Sequence, residues 1–274
     1  MRTRCLGIFA MVCLISPVYS AAWTSAKGHG QILFNTSYFE TTRSFDTGGR
    51  QQPFGYGGKF QKVEFNPYVE VGVTNRTSLL LNAFIPALRF QNQYGGFESS
   101  GTGDVEVGIR QRLTPVRMRT ALSFQTMFLF PTYSQDRNPA PGNHVWDVEP
   151  RVQVGRSHSL EKRTVFWDVE AAWRYRSGAP ADQMRFDATL GGDVAPRLML
   201  MAQAFGIKGL RNGTPLQFIN NPNLQSDFDL YKAQISTVIR LTSRLRLQTG
   251  YFRAVKGRNT GAGQGVVISL WAAF

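Results

Sequence analysis

The sequence predicts an all-β protein, an antiparallel up-and-down transmembrane β-barrel of about twelve strands. Three observations lead to this prediction. Apolar and polar residues alternate along many segments near ~10 residues long, which is typical of strands with one face toward lipid. The connections alternate between short turns and long, polar, Gly-rich loops. The chain ends on GVVISLWAAF, an alternating segment, although the last residues of a soluble domain usually fray.

The N-terminus has the features of a secretory signal peptide. Arg2 and Arg4 precede an apolar run that ends in small residues, which predicts a signal peptide over 1–22 with cleavage near 20–22. The alternative, a transmembrane anchor, needs about 20 apolar residues, more than this run supplies. Cys5 and Cys13 both lie in the removable segment, so the mature protein is expected to lack disulfides, thiol catalysis and cysteine-type zinc sites.

The charge balance is strongly basic. The whole chain carries a formal net charge of +13, and without Arg2 and Arg4 the mature chain has 29 basic against 18 acidic residues. A nucleic-acid-binding protein can show this balance, but an exported chain does not routinely meet nucleic acid. We therefore expect no nucleic-acid partner.

The alternating segments can be followed in chain order. Seven segments have outward apolar faces that begin at Ile32, Val63, Leu79, Val105, Leu122, Trp146 and Val165. Two weaker segments follow over 184–191 and 198–207. Two clear ones over 229–241 and 245–254 then lead to the C-terminal strand. Twelve is an even number, so both termini are expected at the periplasmic end.

The connections sort by length onto two sides. Short ones lie near 74–77, 114–119, 157–162, 194–197 and 242–244, and longer ones near 42–58, 91–103, 132–144, 177–182, 208–228 and 255–264. A soluble β-sandwich also alternates, but it does not sort its loops in this way. We therefore predict a single barrel domain over 23–274 in the bacterial outer membrane, with periplasmic turns and longer extracellular loops.

The C-terminal strand has a reason to be ordered. It must pair with the first strand, because an open sheet edge in lipid leaves backbone groups unpaired. A terminal Phe274 preceded by alternating apolar residues also resembles the assembly signal of outer-membrane proteins, which implies the outer-membrane assembly machinery as a partner. Trp167 and Tyr175 are candidates for the two aromatic girdles, since they lie roughly 26 Å apart along a strand and about 20 Å apart once it tilts.

The inward faces carry charge in a repeated pattern. Three Asp-Val-Glu triplets place two acidic residues inward and a valine outward, and basic residues follow on the same face. The candidate lumen-lining residues are Glu64, Glu70, Asp104, Glu106, Arg110, Arg112, Asp147, Glu149, Arg151, Asp168, Glu170, Arg174, Arg185 and Asp187. Antiparallel pairing sets Arg151 roughly opposite Asp168 or Glu170, and Arg174 roughly opposite Asp147. Two interpretations stay open: a structural ion-pair network that fills the lumen, or an aqueous path whose charges select a solute.

Signatures of catalysis are sparse. His29, His144 and His158 are scattered, and no metal-ligand spacing or nucleophile elbow is present. The stretch Gly101-Thr-Gly103-Asp fails the dinucleotide fingerprint because Glu106 occupies the place of the third glycine. We expect no metal, no cofactor and no enzymatic activity, with an outer-membrane lipid-modifying enzyme as a lesser alternative.

One region resembles a known family. The stretches YVEVGVTNRTSLLLNAFIPALRF (68–90) and GTGDVEVGIRQRL (101–113) resemble bacterial outer-membrane barrels assigned to transport for the meta-cleavage pathway of phenol degradation. The resemblance implies a channel or transporter for a small solute. The alternative is a non-conducting structural or adhesive barrel. Besides outer-membrane lipid, lipopolysaccharide is an expected partner, through basic residues of the long loops, which are Arg43, Arg50, Arg137, Lys208, Arg211, Lys256 and Arg258.

Overall fold

The computed structural model describes residues 22–160, 163–214 and 221–274. The predicted signal peptide therefore lies outside the described residues, except for Ala22. Within these ranges, no helix has the length and apolar character needed to cross a membrane.

Nearly all regular structure in the described part of the chain is β-strand. In chain order the elements are β1 Gly30–Thr41, β2 Arg43–Phe45, β3 Gln51–Pro53, the 3-10 turn Gly55–Gly57, β4 Lys59–Gly72, β5 Thr77–Ala83, β6 Ile85–Asn92, β7 Gly95–Ser100, β8 Asp104–Arg112, β9 Thr120–Pro131, β10 Asp147–Leu160, β11 Arg163–Arg176, β12 Gln183–Ala195, β13 Leu198–Gly209, β14 Asp229–Arg240, β15 Leu245–Arg258, β16 Thr260–Gly261 and β17 Gln264–Ala273.

The strands form one closed antiparallel barrel. Each strand pairs with its neighbours along the chain, and β1 pairs both with β4 and with β17, which closes the sheet. β5 and β6 are halves of one barrel strand interrupted at Phe84, and β7 and β8 are halves of another interrupted at 101–103. The short β2, β3 and β16 form a separate small sheet at the extracellular end. The barrel therefore has twelve strands, as the alternation predicts.

The chain terminus completes the closure. Where β1 pairs with β17, Phe34 lies opposite Leu270. At the end of this pairing, Phe274 and Gly30 exchange two backbone hydrogen bonds of 2.9 and 3.0 Å. The pairing of the last strand with the first is thus confirmed. The role of Phe274 in assembly stays a prediction.

The outward face of the barrel is apolar. Side chains that the alternation assigns to lipid are exposed, among them Val107, Phe128, Val152, Val169 and Ile268, each at 40% or more. Exposed apolar residues on every strand would be unfavourable in water but suit a hydrocarbon solvent. This face identifies the band that contacts lipid.

Three predicted loops contain strands. β2 and β3 lie within 42–58, and the end of β15 and all of β16 lie within 255–264. The segment 91–103 is expected to be a long extracellular loop, but β6 and β7 continue through it and are joined by a tight turn. Gly95 follows that turn at a φ of +146°, a conformation that favours glycine. The hairpin lacks apolar alternation because strands outside the hydrocarbon layer pair through their backbones without needing a lipid-facing surface.

Candidate functional site

The inner faces of β10, β11 and β12 meet in an ion-pair network around Arg151. Its guanidinium pairs with Glu149 at 2.7 Å, with Glu170 on β11 and with Asp187 on β12. The Arg151 side chain is only 10% exposed. Burying a guanidinium is costly unless carboxylates compensate it, and three of them do so here.

Glu149 is the second centre of the network. It accepts from Arg174 at 2.6 Å and from Arg185 at 3.3 Å, in addition to Arg151. Arg174 also reaches Glu106 on β8 at 3.4 Å. The complete network, called the ladder below, consists of Glu106, Asp147, Glu149, Arg151, Glu170, Arg174, Arg176, Arg185 and Asp187. Five carboxylates thus face four guanidiniums across four strands.

The Asp-Val-Glu spacing explains why the ladder forms. Side chains two residues apart in a strand share a face, so Asp147 and Glu149 point inward together while Val148 lies between them on the other face. The ion pairs join Arg151 to Glu170 and Arg174 to Asp147, the latter at 3.9 Å. The register differs from the expected one, because Arg151 faces Ala172 and Asp147 faces Arg176. Both ion pairs therefore run diagonally between the two strands. Asp168, the other partner expected for Arg151, faces Gly155.

A second buried ion pair lies apart from the ladder. Glu70 on β4 and Arg110 on β8 pair at 2.9 Å, with side chains 2% and 5% exposed. Their remaining polar atoms hold the chain that precedes β1: the Ser25 amide donates to Glu70 at 3.1 Å, and Arg110 donates to the Trp23 carbonyl at 3.0 Å. The pair therefore anchors the N-terminal segment against the inner wall.

The anchoring extends to the start of the described chain. The amide of Ala22 donates to Asp168 on β11 at 3.3 Å, and its carbonyl accepts from the Ser123 hydroxyl on β9. Ala22 and Asp168 are buried. Residues 22–25 contact β4, β8, β9 and β11, so this segment, called the N-terminal segment below, lies inside the barrel and narrows it.

Beside the ladder is a cavity of about 420 Å³. Seven charged residues contribute to its lining, which are Glu64, Asp104, Glu106, Glu149, Arg151, Arg174 and Arg185. The other lining residues are Tyr68, Asn82, Phe84, Pro86, Gly103, Gln125, Met127, Leu129 and Pro141. The cavity thus combines polar and apolar surface, and it reaches the place where β5–β6 and β7–β8 are interrupted.

Apolar clusters also occupy the barrel interior. Phe39, Phe60, Leu88 and Phe252 form one toward the extracellular end. Toward the periplasmic end another contains Phe166, Met199, Met201, Val238 and Trp271. The charge pattern in the sequence does not indicate them. The interior therefore combines the charged ladder with buried apolar clusters.

The remaining predicted lumen residues lie outside the ladder. Glu64 pairs with Lys62 on its own strand at 3.0 Å. Arg112, the last residue of β8, donates to the Met118 carbonyl at 2.8 Å and to the Thr114 hydroxyl. Its contacts serve the turn that follows β8 rather than the ladder. Asp104 lines the cavity.

The two girdle candidates belong to the outward face of β11. Tyr175 is 46% exposed, and its ring centroid lies 5.8 Å from that of Trp146. Trp167 lies on the same face nearer the periplasmic end and is partly exposed. Their depth in a bilayer remains a prediction.

Two extracellular loops carry shifted carboxylates. In the turn after β2, the Asp46 carboxylate accepts the amides of Arg50 and Gly48, both at 2.8 Å, and these bonds lower its pKa. Before β14, burial raises the pKa of Asp227, while Arg211 acts in the opposite direction. The first carboxylate stabilises its turn through its charged form.

The sequence gives no signal for the N-terminal segment. Its residues show neither alternation nor a charge pattern, and its contacts join positions 45 and 87 residues apart in sequence. Glu70 and Arg110 are recognisable as inward charges, but their partners are not.

The closed twelve-stranded barrel and its apolar outer band define the class of protein: a bacterial outer-membrane β-barrel. No family model matches the chain, and no curated protein matches it. Among solved structures it is similar to the COG4313 outer membrane channel from Pseudomonas putida F1, with 16% identity over 93% of this chain and 99% of that chain and a TM-score of 0.67. It is more distantly similar to the NanC porin (9% identity, 86% and 98% covered, TM-score 0.49) and to the KdgM porin (5% identity, 88% and 99% covered, TM-score 0.47). The closed barrel and its apolar outer band place the protein in the bacterial outer membrane.

Proposed function

We propose that this barrel passes a small solute across the outer membrane through the space beside the ladder. The cavity of about 420 Å³ carries the proposal, because its size lies in the range that holds small organic ligands. Twelve strands also enclose more room than the eight of barrels that their own side chains fill. The similarity to a solved outer-membrane channel supports the proposal at the level of fold.

The ladder would set the preference of this path for ions and polar groups. Its carboxylates and guanidiniums nearly balance, so neither sign of charge is excluded. Fixed charges at a constriction act on a passing ion at close range. We therefore infer that individual cavity-lining charges, such as Glu106 and Arg185, tune the selectivity.

A second candidate function is a barrel that does not conduct. The observation that favours it is the N-terminal segment, which is hydrogen-bonded to buried Glu70 and Arg110 inside the barrel. In this alternative the ladder and the segment hold the interior shut, and the extracellular loops meet partners outside.

Planar-bilayer recordings separate these candidates. Glu106→Gln and Arg185→Gln form a suitable pair of variants, because each removes one cavity charge and leaves the former partner with another ion pair. Arg174, the partner of Glu106, retains Glu149. Glu149, the partner of Arg185, retains Arg151. Arg151→Gln is less suitable, since it would leave three carboxylates without their shared partner.

For an open path we expect discrete channels in the wild type. The cation/anion permeability ratio should fall in Glu106→Gln and rise in Arg185→Gln. A silent wild type, with folded variants that differ only in resistance to heat, would favour the closed barrel instead.

The other expected roles are also proposals. The family resemblance suggests a solute related to aromatic degradation, and Phe84 and Leu129 in the cavity lining suit an apolar moiety. For lipopolysaccharide, Arg43, Arg50 and Lys256 are better candidates than Arg211 and Arg258. The last two already pair with Asp227 and Asp229, as the distances of 2.9 to 3.2 Å indicate.

A further inference from the structure

A lysine projects into the barrel on the wall away from the ladder. Lys232 lies on β14, and its Nζ is 5.4 Å from the ring centre of Phe205 on β13 and 5.7 Å from that of Phe252 on β15. Aromatic ring faces attract a cation at these distances. Two rings on the two neighbouring strands thus hold one ammonium group.

The Lys232 ammonium has no carboxylate of its own in the described part of the chain, since none lies within 4.0 Å of it. The charges that act on it from farther away are those of the cations Lys62 and Arg185 and of the carboxylates Glu64 and Asp187. Glu64 is already paired with Lys62, and Asp187 with Arg151. The inward arginines 110, 151, 174, 176 and 185 differ, because each has at least one carboxylate partner. Arg112 has no carboxylate among the described residues and bonds a carbonyl and a hydroxyl instead.

The backbone makes room for this side chain. The β14–β15 pairing shifts register beside Lys232, so that Tyr231 faces Lys256, Lys232 faces Ala254, and Val255 is left without a partner. Such bulges re-aim side chains and are frequent beside functional sites. The residue opposite Lys232 is therefore a small alanine.

The rings around Lys232 are apolar and in part accessible, since Phe252 is buried and Phe205 is not. Phe252 stacks on Phe39 with ring centres 6.3 Å apart, and Phe60 and Leu88 complete the cluster behind them. Lys232 and Phe205 are themselves partly exposed. An ammonium group has three N–H donors, and two ring faces do not use all of them.

We propose that Lys232, Phe205 and Phe252 form a binding site for a small organic anion. The carboxylate pairs with the Lys232 ammonium, and the ring or chain of the ligand packs on the phenylalanines. This inference rests on the proposed function, because the anion must enter the barrel. It names the substrate class as organic acids that carry an apolar group.

Benzoate is the probe, and benzamide is its uncharged control of the same shape. Binding to the purified full-length barrel in detergent is measured by ligand-observed NMR, with protein-free micelles as the blank. The same ligands are added to planar-bilayer recordings. The variants are Lys232→Met and Lys232→Arg, with Lys256→Met as the matched control, because Lys256 is an exposed lysine across the bulge.

We expect benzoate to bind the wild type and Lys256→Met alike, and Lys232→Met more weakly by about tenfold or more, since a charge-assisted bond is lost. Lys232→Arg should retain binding, and benzamide should bind weakly throughout. Should Lys232→Met fail to fold, Phe205→Leu provides the test, because it should weaken benzoate more than acetate.

Equal benzoate binding by the wild type and folded Lys232→Met would overturn the site, as would equal binding of benzamide and benzoate. Failure of the proposed function looks different. In that case the wild type carries no current in bilayers, whether or not benzoate binds to it in detergent. Lys232-dependent binding without current would support the site and contradict the channel.

Discussion

Replacing Val152 with arginine tests where the bilayer lies on this barrel. Val152 is 48% exposed on the outward face of β10 and pairs with Phe124 on one side and Ala171 on the other. Ala171 is four residues from both Trp167 and Tyr175, about 13 Å along the strand and roughly 10 Å along the membrane normal after tilting. If these aromatic residues mark the girdles, Val152 lies at the middle of the apolar band.

An arginine at the midplane of a transmembrane barrel costs about 2–4 kcal/mol, whereas one near the interface costs about 0–1 kcal/mol. Val152→Arg should therefore shift the folding equilibrium by about 30- to 700-fold. Ile239→Arg is the matched control, because Ile239 is also exposed and aliphatic but is the penultimate residue of β14, next to a periplasmic turn. We expect it to lose little stability.

The assay is reversible denaturant unfolding of the barrel in phospholipid vesicles, followed by tryptophan fluorescence. Resistance of the folded form to heating on gels provides a check that each variant has folded. A loss below about 1 kcal/mol for Val152→Arg, or equal losses for both variants, would mean that the band is centred elsewhere or that these faces do not meet lipid.

Two further predictions concern contacts inside and outside the barrel. Glu70→Ala leaves buried Arg110 without its carboxylate, so it should lower the free energy of unfolding by about 3–5 kcal/mol and release the N-terminal segment. Thiol labelling of a Ser25→Cys variant should then be faster with Glu70→Ala than without it. An unchanged rate would show that the segment is held by other contacts. Protonation of Asp46 should loosen the turn after β2. Because the folded-state pKa of Asp46 is lowered, the stabilisation is present above the ordinary carboxyl pKa and is lost as pH falls through the folded value. Protection of the Gly48 and Arg50 amides from hydrogen exchange should decrease over the same pH range. In Asp46→Asn this protection should be low at all pH values.

Several features of the interior follow from strand periodicity. Because side chains alternate between the two faces of a strand, the position of Val107 on the outward face already places Glu106 on the other. The hairpin of β10 and β11 then brings Arg151 close to Glu170. A loop such as 91–103 is harder to predict, because strands above the membrane need no apolar face and their sequence resembles that of a flexible loop.

The sequence by itself determined the barrel, its twelve strands, the closing pair of first and last strands, and the outward face, because lipid imposes a local period of two on every spanning strand. Beyond the β10–β11 hairpin, only the tertiary structure decided which inward groups meet. Glu149 collects arginines from three strands, Glu70 and Arg110 hold the N-terminal segment, and Lys232 lies between two phenylalanine rings. Contacts across the barrel depend on the register and curvature of the closed sheet, and no local pattern along the chain records them.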